Sequence, residues 1–129
     1  MILDTSAIMA IVLNEGESEA FLRAIATAPV RRMSVGTWVE LGVVVQRRHP
    51  ARAPVVDTLL RSGRVLSEPA SVEQAEIARE AYRIYGQASG HRARLNFGDC
   101  FAYALAKATG EPLLFKGDDF VHTDVTSAA

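Results

Sequence analysis

The alternation of very short apolar runs with longer helical stretches restricts the fold more than any other feature of this chain. The predicted strands are residues 1–3, 30–34, 65–66 and 112–115, and residues 123–125 are the candidate fifth strand at an edge. Short strands joined by helices form parallel β-α-β units, with helices on both faces of the sheet. The sequence therefore predicts an α/β fold with three layers, in which helices flank a short parallel sheet of four to five strands.

Apolar spacing also predicts the helices between these strands and the faces that they bury. Six helices are expected, and they end near Asn14, Pro29, Arg48, Gly63, Gly86 and Gly110. Asn96 occupies the position of an N-cap for the last helix. The buried faces are expected to include Trp38 in the third helix, Val55 in the fourth, and the stripe Phe97, Phe101, Ala104, Leu105 and Ala108 in the sixth.

Length and composition indicate one globular domain, residues 1–129, in a reducing compartment. The chain has 49% hydrophobic residues, a net charge of -1 and a single cysteine, Cys100, so no disulfide framework is expected. The first basic residue is Arg23, which indicates that no secretory signal begins the chain. No apolar run approaches the length of a membrane span. We therefore expect a cytoplasmic protein that does not contact the membrane, and the balanced charge is unlike that of a protein that coats nucleic acid.

Several acidic residues from distant parts of the chain are predicted to meet at one edge of the sheet. Asp4 ends the first strand, Glu40 follows the second, Asp99 begins the last helix, and Asp118 and Asp119 follow the fourth strand. Ligands of open α/β sheets bind at the carboxyl ends of the strands. Crowded carboxylates repel one another unless cations lie among them, and oxygen ligands suit Mg²⁺ or Mn²⁺. The pattern therefore favours a magnesium or manganese site.

Each of these acids has a purely structural explanation when it is taken alone. Asp99 can complement the helix dipole, and Asp4 can act as an N-cap. Glu40 forms a Thr-x-x-Glu capping box with Thr37. The Asp118-Asp119 pair follows Gly117 and is also typical of a simple turn. Only a shared binding site explains why all of the acids fall on the same edge.

Three segments resemble the PIN domain, and most closely the VapC-type toxins of bacterial type II toxin–antitoxin pairs. They are the opening Met1-Ile2-Leu3-Asp4-Thr5-Ser6-Ala7, residues 95–106 around Asn96-Phe97-Gly98-Asp99, and Leu113 to Phe120 with Thr123-Asp124-Val125. This resemblance covers essentially the whole chain. It implies a Mg²⁺- or Mn²⁺-dependent endoribonuclease that forms a homodimer and is silenced by a small VapB-like antitoxin.

The resemblance also implies roles for individual residues. Asp4 and Asp99 would be direct metal ligands, Glu40 would complete the cluster, and Ser6 would hold Asp4 or a metal-bound water. Many PIN domains carry an Asp or Asn at the position that Lys116 occupies here. We therefore expect a residue of the following turn to supply the fourth acid. Asp118 is favoured over Asp119, because alternation in an extended turn would place Asp118 on the inward side with Phe120.

Three basic residues are candidates for binding the RNA backbone. Arg92 and Arg94 lie in the loop just before the Asp99 helix, together with His91, and Lys116 directly follows the fourth strand. Arginine binds phosphate well because its guanidinium donates two parallel hydrogen bonds. A solvated loop without a function is the alternative for residues 91–94.

Three other functions fit parts of the same pattern. An aspartyl-phosphate phosphatase would use Asp4 as its nucleophile, although such enzymes carry a second acid two residues later, where Ser6 stands here. A PIN-like nuclease acting on DNA would need insertions for which this chain is short. A binding module with vestigial acids would bind no divalent metal. The particular RNA and the number of metal ions are not indicated by the sequence.

Overall fold

A four-stranded parallel sheet forms the centre of the molecule. The computed structural model describes all residues, 1–129. The strands are β1 (Ile2–Leu3), β2 (Arg32–Ser34), β3 (Leu66–Glu68) and β4 (Leu113–Leu114), in the order β3-β2-β1-β4. All three pairings are parallel, and Ile2 is aligned with Arg32 on one side and with Leu113 on the other. The predicted parallel α/β architecture is therefore confirmed, with four strands.

Six helices cover the two faces of this sheet. They are α1 (Thr5–Val12), α2 (Ser18–Thr27), α3 (Val35–Arg48), α4 (Ala53–Ser62), α5 (Val72–Tyr85) and α6 (Asp99–Thr109). Short 3₁₀ turns at Pro50–Arg52 and Gln87–Ser89 precede α4 and follow α5. No helix combines the length and the hydrophobicity that crossing a bilayer requires.

Two apolar cores, one on each side of the sheet, hold the three layers together. Leu3 packs into the core formed with α1, α2, α3 and α4, whereas Ile2 packs into the core formed with α5 and α6. Both side chains are fully buried because neighbouring residues in a strand point to opposite faces. Two strand residues therefore suffice to anchor β1 between both helical layers.

The chain order places a topological switch beside β1. The first two crossovers add β2 and then β3 on one side of β1, and the chain later returns to add β4 on the other side. The switch point therefore lies between β1 and β4, and ligands of such sheets bind in the crevice beyond the carboxyl ends of the strands at this point. Asp4 lies at this position, directly after Leu3.

The buried face of α6 differs from the predicted stripe. Phe97 is 78% exposed and Ala108 is exposed, while the five consecutive residues from Ala102 to Ala106 are all buried. The reason is that α6 lies between the sheet and α5, so both of its sides are covered. Helical periodicity predicts one buried side, and it fails for a helix that is buried on two.

Three smaller predictions about secondary structure are also wrong. Trp38 and Val55 are about half exposed, because α3 buries Thr37, Leu41 and Val45 and α4 buries Val56. Residues 123–125 form no strand. The C-terminal segment instead makes a single bridge between Leu113 and Ser127, since the chain pairs with β4 only after the turn at residues 119–124.

Candidate active site

Asp4 is held at the carboxyl end of β1 with one oxygen bonded and the other free. It is the N-cap of α1 and is only 3% exposed. Its Oδ2 accepts hydrogen bonds from the backbone N–H of Ser6 at 2.9 Å and from Ser6 Oγ at 2.6 Å. Its Oδ1 is buried and has no hydrogen-bond partner. A buried carboxylate oxygen without a donor is costly, and a cation would satisfy it.

Ser6 connects Asp4 to the neighbouring strand β4. While its hydroxyl donates to Asp4, the same oxygen accepts a hydrogen bond from the backbone N–H of Lys116 at 3.0 Å. Lys116 comes two residues after β4, so this bond ties together the ends of the two strands that border the switch point. The structure thus contains the expected contact between Ser6 and Asp4, in which the hydroxyl donates to the carboxylate.

Asp99 is fixed by a reciprocal pair of hydrogen bonds with Asn96. Asn96 Oδ1 accepts from the backbone N–H of Asp99 at 2.9 Å, and Asp99 Oδ2 accepts from the backbone N–H of Asn96 at 2.8 Å. This Asn-x-x-Asp arrangement satisfies orphan donors at the start of α6, like a capping box. Asp99 is only 6% exposed, and its Oδ1 remains outside the pair. The N-cap of α6 is Gly98 and not Asn96 as predicted, since the helix begins only at Asp99, but the Asn96 side chain still orients Asp99.

Glu40 reaches the same place from the second turn of α3. Its Oε1 accepts a hydrogen bond from Thr5 Oγ1 at 2.6 Å, and its Oε2 lies against the backbone of Gly98. The Thr37–Glu40 capping box is absent, because α3 begins at Val35 and is capped by Ser34, whose Oγ accepts from Gly36 N at 3.3 Å. The structure thus removes the capping-box explanation for Glu40.

The acids at this edge act on one another electrostatically. The pKa of Asp99 is raised to about 7, mainly by burial and also by the charges of Asp4, Asp119 and Glu40, while the hydrogen bond from Asn96 opposes the increase. The pKa of Asp4 is raised to about 6, mainly by burial, with Ser6 opposing the increase and Glu40 adding to it. Raised carboxylate pKa values in one crevice are typical of functional sites. Acids from four segments of the chain are therefore close enough to resist ionising together.

The donor set fits a hard divalent cation. Asp4, Glu40 and Asp99 each have one oxygen engaged by the protein and one oxygen free of side-chain donors. No three of the His, Cys, Asp or Glu side chains are gathered closely enough to enclose a metal ion by themselves. Mg²⁺ does not need such an enclosure, because it keeps several waters and binds through one or two carboxylates. The residues present therefore fit Mg²⁺ or Mn²⁺ better than a metal that requires a complete protein cage.

The preference for Asp118 over Asp119 stays a prediction, and the electrostatics of the site favour Asp119. Asp119 is among the charges that raise the pKa of Asp99, and Asp118 is not. Burial raises the pKa of Asp119 itself, and the charge of Asp118 adds to this increase. The predicted alternation required an extended turn, but Gly117 has a φ of +95° and residues 119–120 form a turn, so the chain changes direction there. Asp119 is therefore the acid of this pair whose charge acts on Asp99.

The three predicted basic residues lie in different surroundings. Arg94 is close enough to Asp119 to oppose the increase in its pKa, which places a cation at the rim of the acid cluster. Arg92 is exposed and forms no ion pair. Lys116 forms ion pairs with Glu15 and, at 3.2 Å, with Glu17, so its ammonium is engaged by acids outside the cluster.

Comparison with known proteins identifies the family. The family model for the PIN domain matches residues 1–125 of the sequence. The chain belongs to the PIN domain family. Among curated proteins, this PIN domain is 50% identical to Ribonuclease VapC42 of Mycobacterium tuberculosis over 99% of the chain and 98% of that protein. It is 46% identical to Ribonuclease VapC28 of the same species over 99% and 97%. The resemblance to VapC proteins is therefore confirmed.

Solved structures show the same fold at lower sequence identity. Mycobacterium tuberculosis VapC20, described as a sarcin-ricin loop cleaving toxin, superposes with a TM-score of 0.73 at 21% identity and covers 97% of this PIN domain and 95% of that chain. A chain of a toxin–antitoxin complex from Klebsiella pneumoniae gives a TM-score of 0.71 at 20% identity and covers 99% and 97%. The three-layer PIN fold is therefore confirmed over nearly the full length.

Sequence reasoning missed two residues that contact the cluster, Thr5 and Gly98. Both flank recognised acids, Asp4 and Asp99, and neither carries a charge that would mark it. The contact that each makes is with Glu40, which is 35 residues from Thr5 and 58 residues from Gly98 in the sequence. Only the packing of α3 beside the starts of α1 and α6 reveals these contacts.

Proposed function

We propose that this PIN domain is a Mg²⁺- or Mn²⁺-dependent endoribonuclease, the toxin of a VapBC toxin–antitoxin pair that acts in the cytoplasm. The observation that carries the proposal is the convergence of Asp4, Glu40 and Asp99, each held by one oxygen and free at the other. The relatives with half of their residues identical are named ribonucleases, which supports RNA as the substrate.

The residues of the site have separable tasks in this proposal. A bound divalent ion would activate water and neutralise charge on the scissile phosphate. Asp4 and Asp99 would hold the ion directly, and Glu40 would complete the ligand set. Ser6 orients Asp4 through its hydrogen bond, so that Oδ1 stays directed into the site. Asp119 would serve as the fourth acid in place of Asp118.

The substrate is proposed to be RNA that is unpaired or looped at the cleavage point. The acid cluster repels a phosphate backbone until metal is bound, so nearby cations must help to retain the RNA. Arg94 has the position for this task, beside Asp119 at the rim, and Arg92 is two residues away on the same loop. Lys116 is the weaker candidate, because Glu15 and Glu17 already neutralise its ammonium.

The proposed protein partners are a second copy of the chain and a VapB-like antitoxin. An apolar surface beside the site supports the homodimer: Phe97 stacks edge-on against Phe101, Phe101 covers Gly36, and Val39 and Val43 are exposed on the same helix α3. Contiguous exposed apolar area of this kind marks association surfaces. Sedimentation should give a dimer, and Val39→Ser with Phe97→Ser should shift it toward monomer. A monomeric wild type would contradict the homodimer.

Cleavage of a labelled RNA that contains a single-stranded loop tests the proposed activity. The wild type should cut with Mg²⁺ or Mn²⁺ and stop when a chelator is added. Asp4→Asn and Asp99→Asn should each lose more than the roughly 100-fold that outer residues of metal sites contribute, because a neutral amide holds the cation poorly. Folding should be checked by circular dichroism. Undiminished cleavage by both variants would contradict the assignment, and cutting of duplex DNA or of an aryl phosphate instead of RNA would replace it.

A further inference from the structure

Among Asp4, Glu40 and Asp99, Glu40 is the one acid that no nearby backbone N–H group fixes. Asp4 and Asp99 are short side chains at helix starts, where nearby backbone N–H groups hold them. Glu40 lies inside α3, has one more rotatable bond than aspartate, and receives no hydrogen bond from its own helix. A long side chain of this kind loses conformational entropy when it is ordered, so something outside α3 must hold the carboxylate in place.

Thr5 supplies the first of two restraints. Its Oγ1 lies 2.6 Å from Glu40 Oε1 and 3.5 Å from the backbone oxygen of Thr37. A hydroxyl has one proton to donate, and the shorter distance assigns it to Glu40. Thr5 is buried, so water does not compete effectively for this bond. The hydrogen bond therefore fixes Oε1 and leaves Oε2 as the oxygen available to a ligand.

Gly98 supplies the second restraint from the opposite side. A Cβ atom added to Gly98 would overlap Glu40 Oε2, well inside van der Waals distance. The backbone of Gly98 has φ −63° and ψ −42°, which any residue adopts at the start of a helix. The backbone conformation therefore does not require a glycine at position 98. The space that the missing side chain leaves is the space that the Glu40 carboxylate occupies.

We propose that Thr5 and Gly98 are positioning residues that together seat the Glu40 carboxylate at the metal site. The seat, meaning the contacts of Thr5 and Gly98 with Glu40, joins the starts of α1 and α6 to α3. It therefore sets the distance of Glu40 from both Asp4 and Asp99. The expected effect on metal binding rests on the proposed metal-dependent function. The two contacts that hold Glu40 are a property of the fold and do not depend on that function. Contacts of this kind, behind a ligand, typically change metal affinity or activity by about 10-fold to 100-fold.

Mn²⁺ titration by calorimetry tests the role of Thr5. Thr5→Val keeps the shape of the side chain and removes the donor, so the Kd for Mn²⁺ should rise by about 10-fold or more. Thr5→Ser keeps a hydroxyl and should restore most of the affinity. Equal Mn²⁺ affinity in the wild type and Thr5→Val would overturn the role of Thr5, as would a Thr5→Ser variant no better than Thr5→Val.

A thermal double-mutant cycle tests Gly98 without relying on metal or activity. Gly98→Ala should lower the unfolding midpoint in the wild type, because the new methyl group displaces Glu40. The same change in a Glu40→Ala background should leave the midpoint equal or higher, since the carboxylate is gone and alanine favours helix. Gly42→Ala on α3 is the matched control, because nothing lies within 4 Å of the added Cβ.

The two measurements separate the seat from the proposed function. An equal loss of stability from Gly98→Ala in both backgrounds would overturn the seat. A wild type that neither binds Mn²⁺ nor cuts RNA would refute the proposed function, and the double-mutant cycle would still decide whether Gly98 seats Glu40. We expect Gly98→Ala to lower the unfolding midpoint only when Glu40 is present, and Thr5→Val to bind Mn²⁺ more weakly than the wild type.

Discussion

The two ends of the central sheet treat acidic side chains in opposite ways. At the amino edge, Glu111 contacts the ammonium group of Met1 and accepts from Arg32 Nε at 2.7 Å. Arg32 also pairs at 2.5 Å with Glu68, the last residue of β3. At the carboxyl edge, Asp4, Glu40 and Asp99 form no ion pair at all. The fold supplies cations where acids are structural, and it leaves three acids without them at the ligand-binding edge.

The pKa values follow this difference. Burial of Glu111 alone would raise its pKa, but the N-terminal ammonium and Arg32 reverse the shift and lower it. Burial of Asp4 and Asp99 has no comparable compensation, so their pKa values rise to about 6 and about 7. Lys116 is the nearest lysine in sequence to this edge, and it pairs with Glu15 and Glu17 instead. The contrast supports the proposal that the carboxyl edge binds a cation from outside the chain.

The largest expected effect is on how the free energy of unfolding depends on pH in the absence of metal. Since Asp4 and Asp99 have raised pKa values, the folded protein holds their protons more tightly than the unfolded chain does between about pH 4 and pH 7. The free energy of unfolding should therefore fall as pH rises through that window. At 1.36 kcal/mol for each unit, these shifts correspond to a loss of about 3 kcal/mol for Asp4 and about 4 kcal/mol for Asp99.

Urea unfolding with chelator at pH 5, 6 and 7.5 measures this loss. Asp99→Asn carries no titrating carboxyl at this position, so its free energy of unfolding should fall less with pH and exceed that of the wild type at pH 7.5. Parallel pH profiles for the wild type and Asp99→Asn would show that Asp99 ionises freely and that the two edges do not differ in this way.

The opposite edge should respond to loss of its acid with a smaller change in stability. Glu111→Gln leaves Met1 and Arg32 without their shared carboxylate and should cost about 1.5–3 kcal/mol, the range for hydrogen bonds to charged groups. The contribution of Glu111 is present at neutral pH and is lost as pH falls through its lowered pKa. Urea unfolding at pH 7.5 should show the loss, while RNA cleavage per folded molecule stays unchanged. Reduced cleavage would mean that the two edges are coupled.

The fold and the two aspartates could be predicted from sequence because their signals are local. Asp4 ends an apolar strand, and Asp99 stands three residues after Asn96 at a helix start, so strand order alone brings them together. The partners of Glu40 could not be predicted, because Thr5 and Gly98 are distant in sequence and carry no charge. The choice between Asp118 and Asp119 stays a prediction, because the alternation that favours Asp118 assumes an extended turn, whereas Gly117 has a left-handed backbone conformation.

The smallest expected effect distinguishes the cations around the carboxyl edge. Arg94→Ala, with or without Arg92→Ala, should weaken RNA binding several-fold and flatten its dependence on salt, because each lost phosphate contact reduces the salt slope by about 0.7 for single strands. Lys116→Met should change RNA binding less, since Glu15 and Glu17 already engage its ammonium. Fluorescence anisotropy on an Asp4→Asn background, which prevents cleavage, measures both. A larger effect from Lys116→Met would reverse this assignment.

Thermal unfolding with and without divalent metal tests the central claim most directly. At pH 7.5 and saturating Mg²⁺ or Mn²⁺, the midpoint of the wild type should rise, because a ligand at about 100 times its Kd adds about 2.7 kcal/mol to the folded state. The Asp4→Asn and Asp99→Asn double variant should start from a higher metal-free midpoint and gain little from metal. Glu111→Gln should start lower and gain as much as the wild type. A wild-type midpoint that does not move at saturating metal would contradict the claim that the carboxyl edge is completed by an external cation.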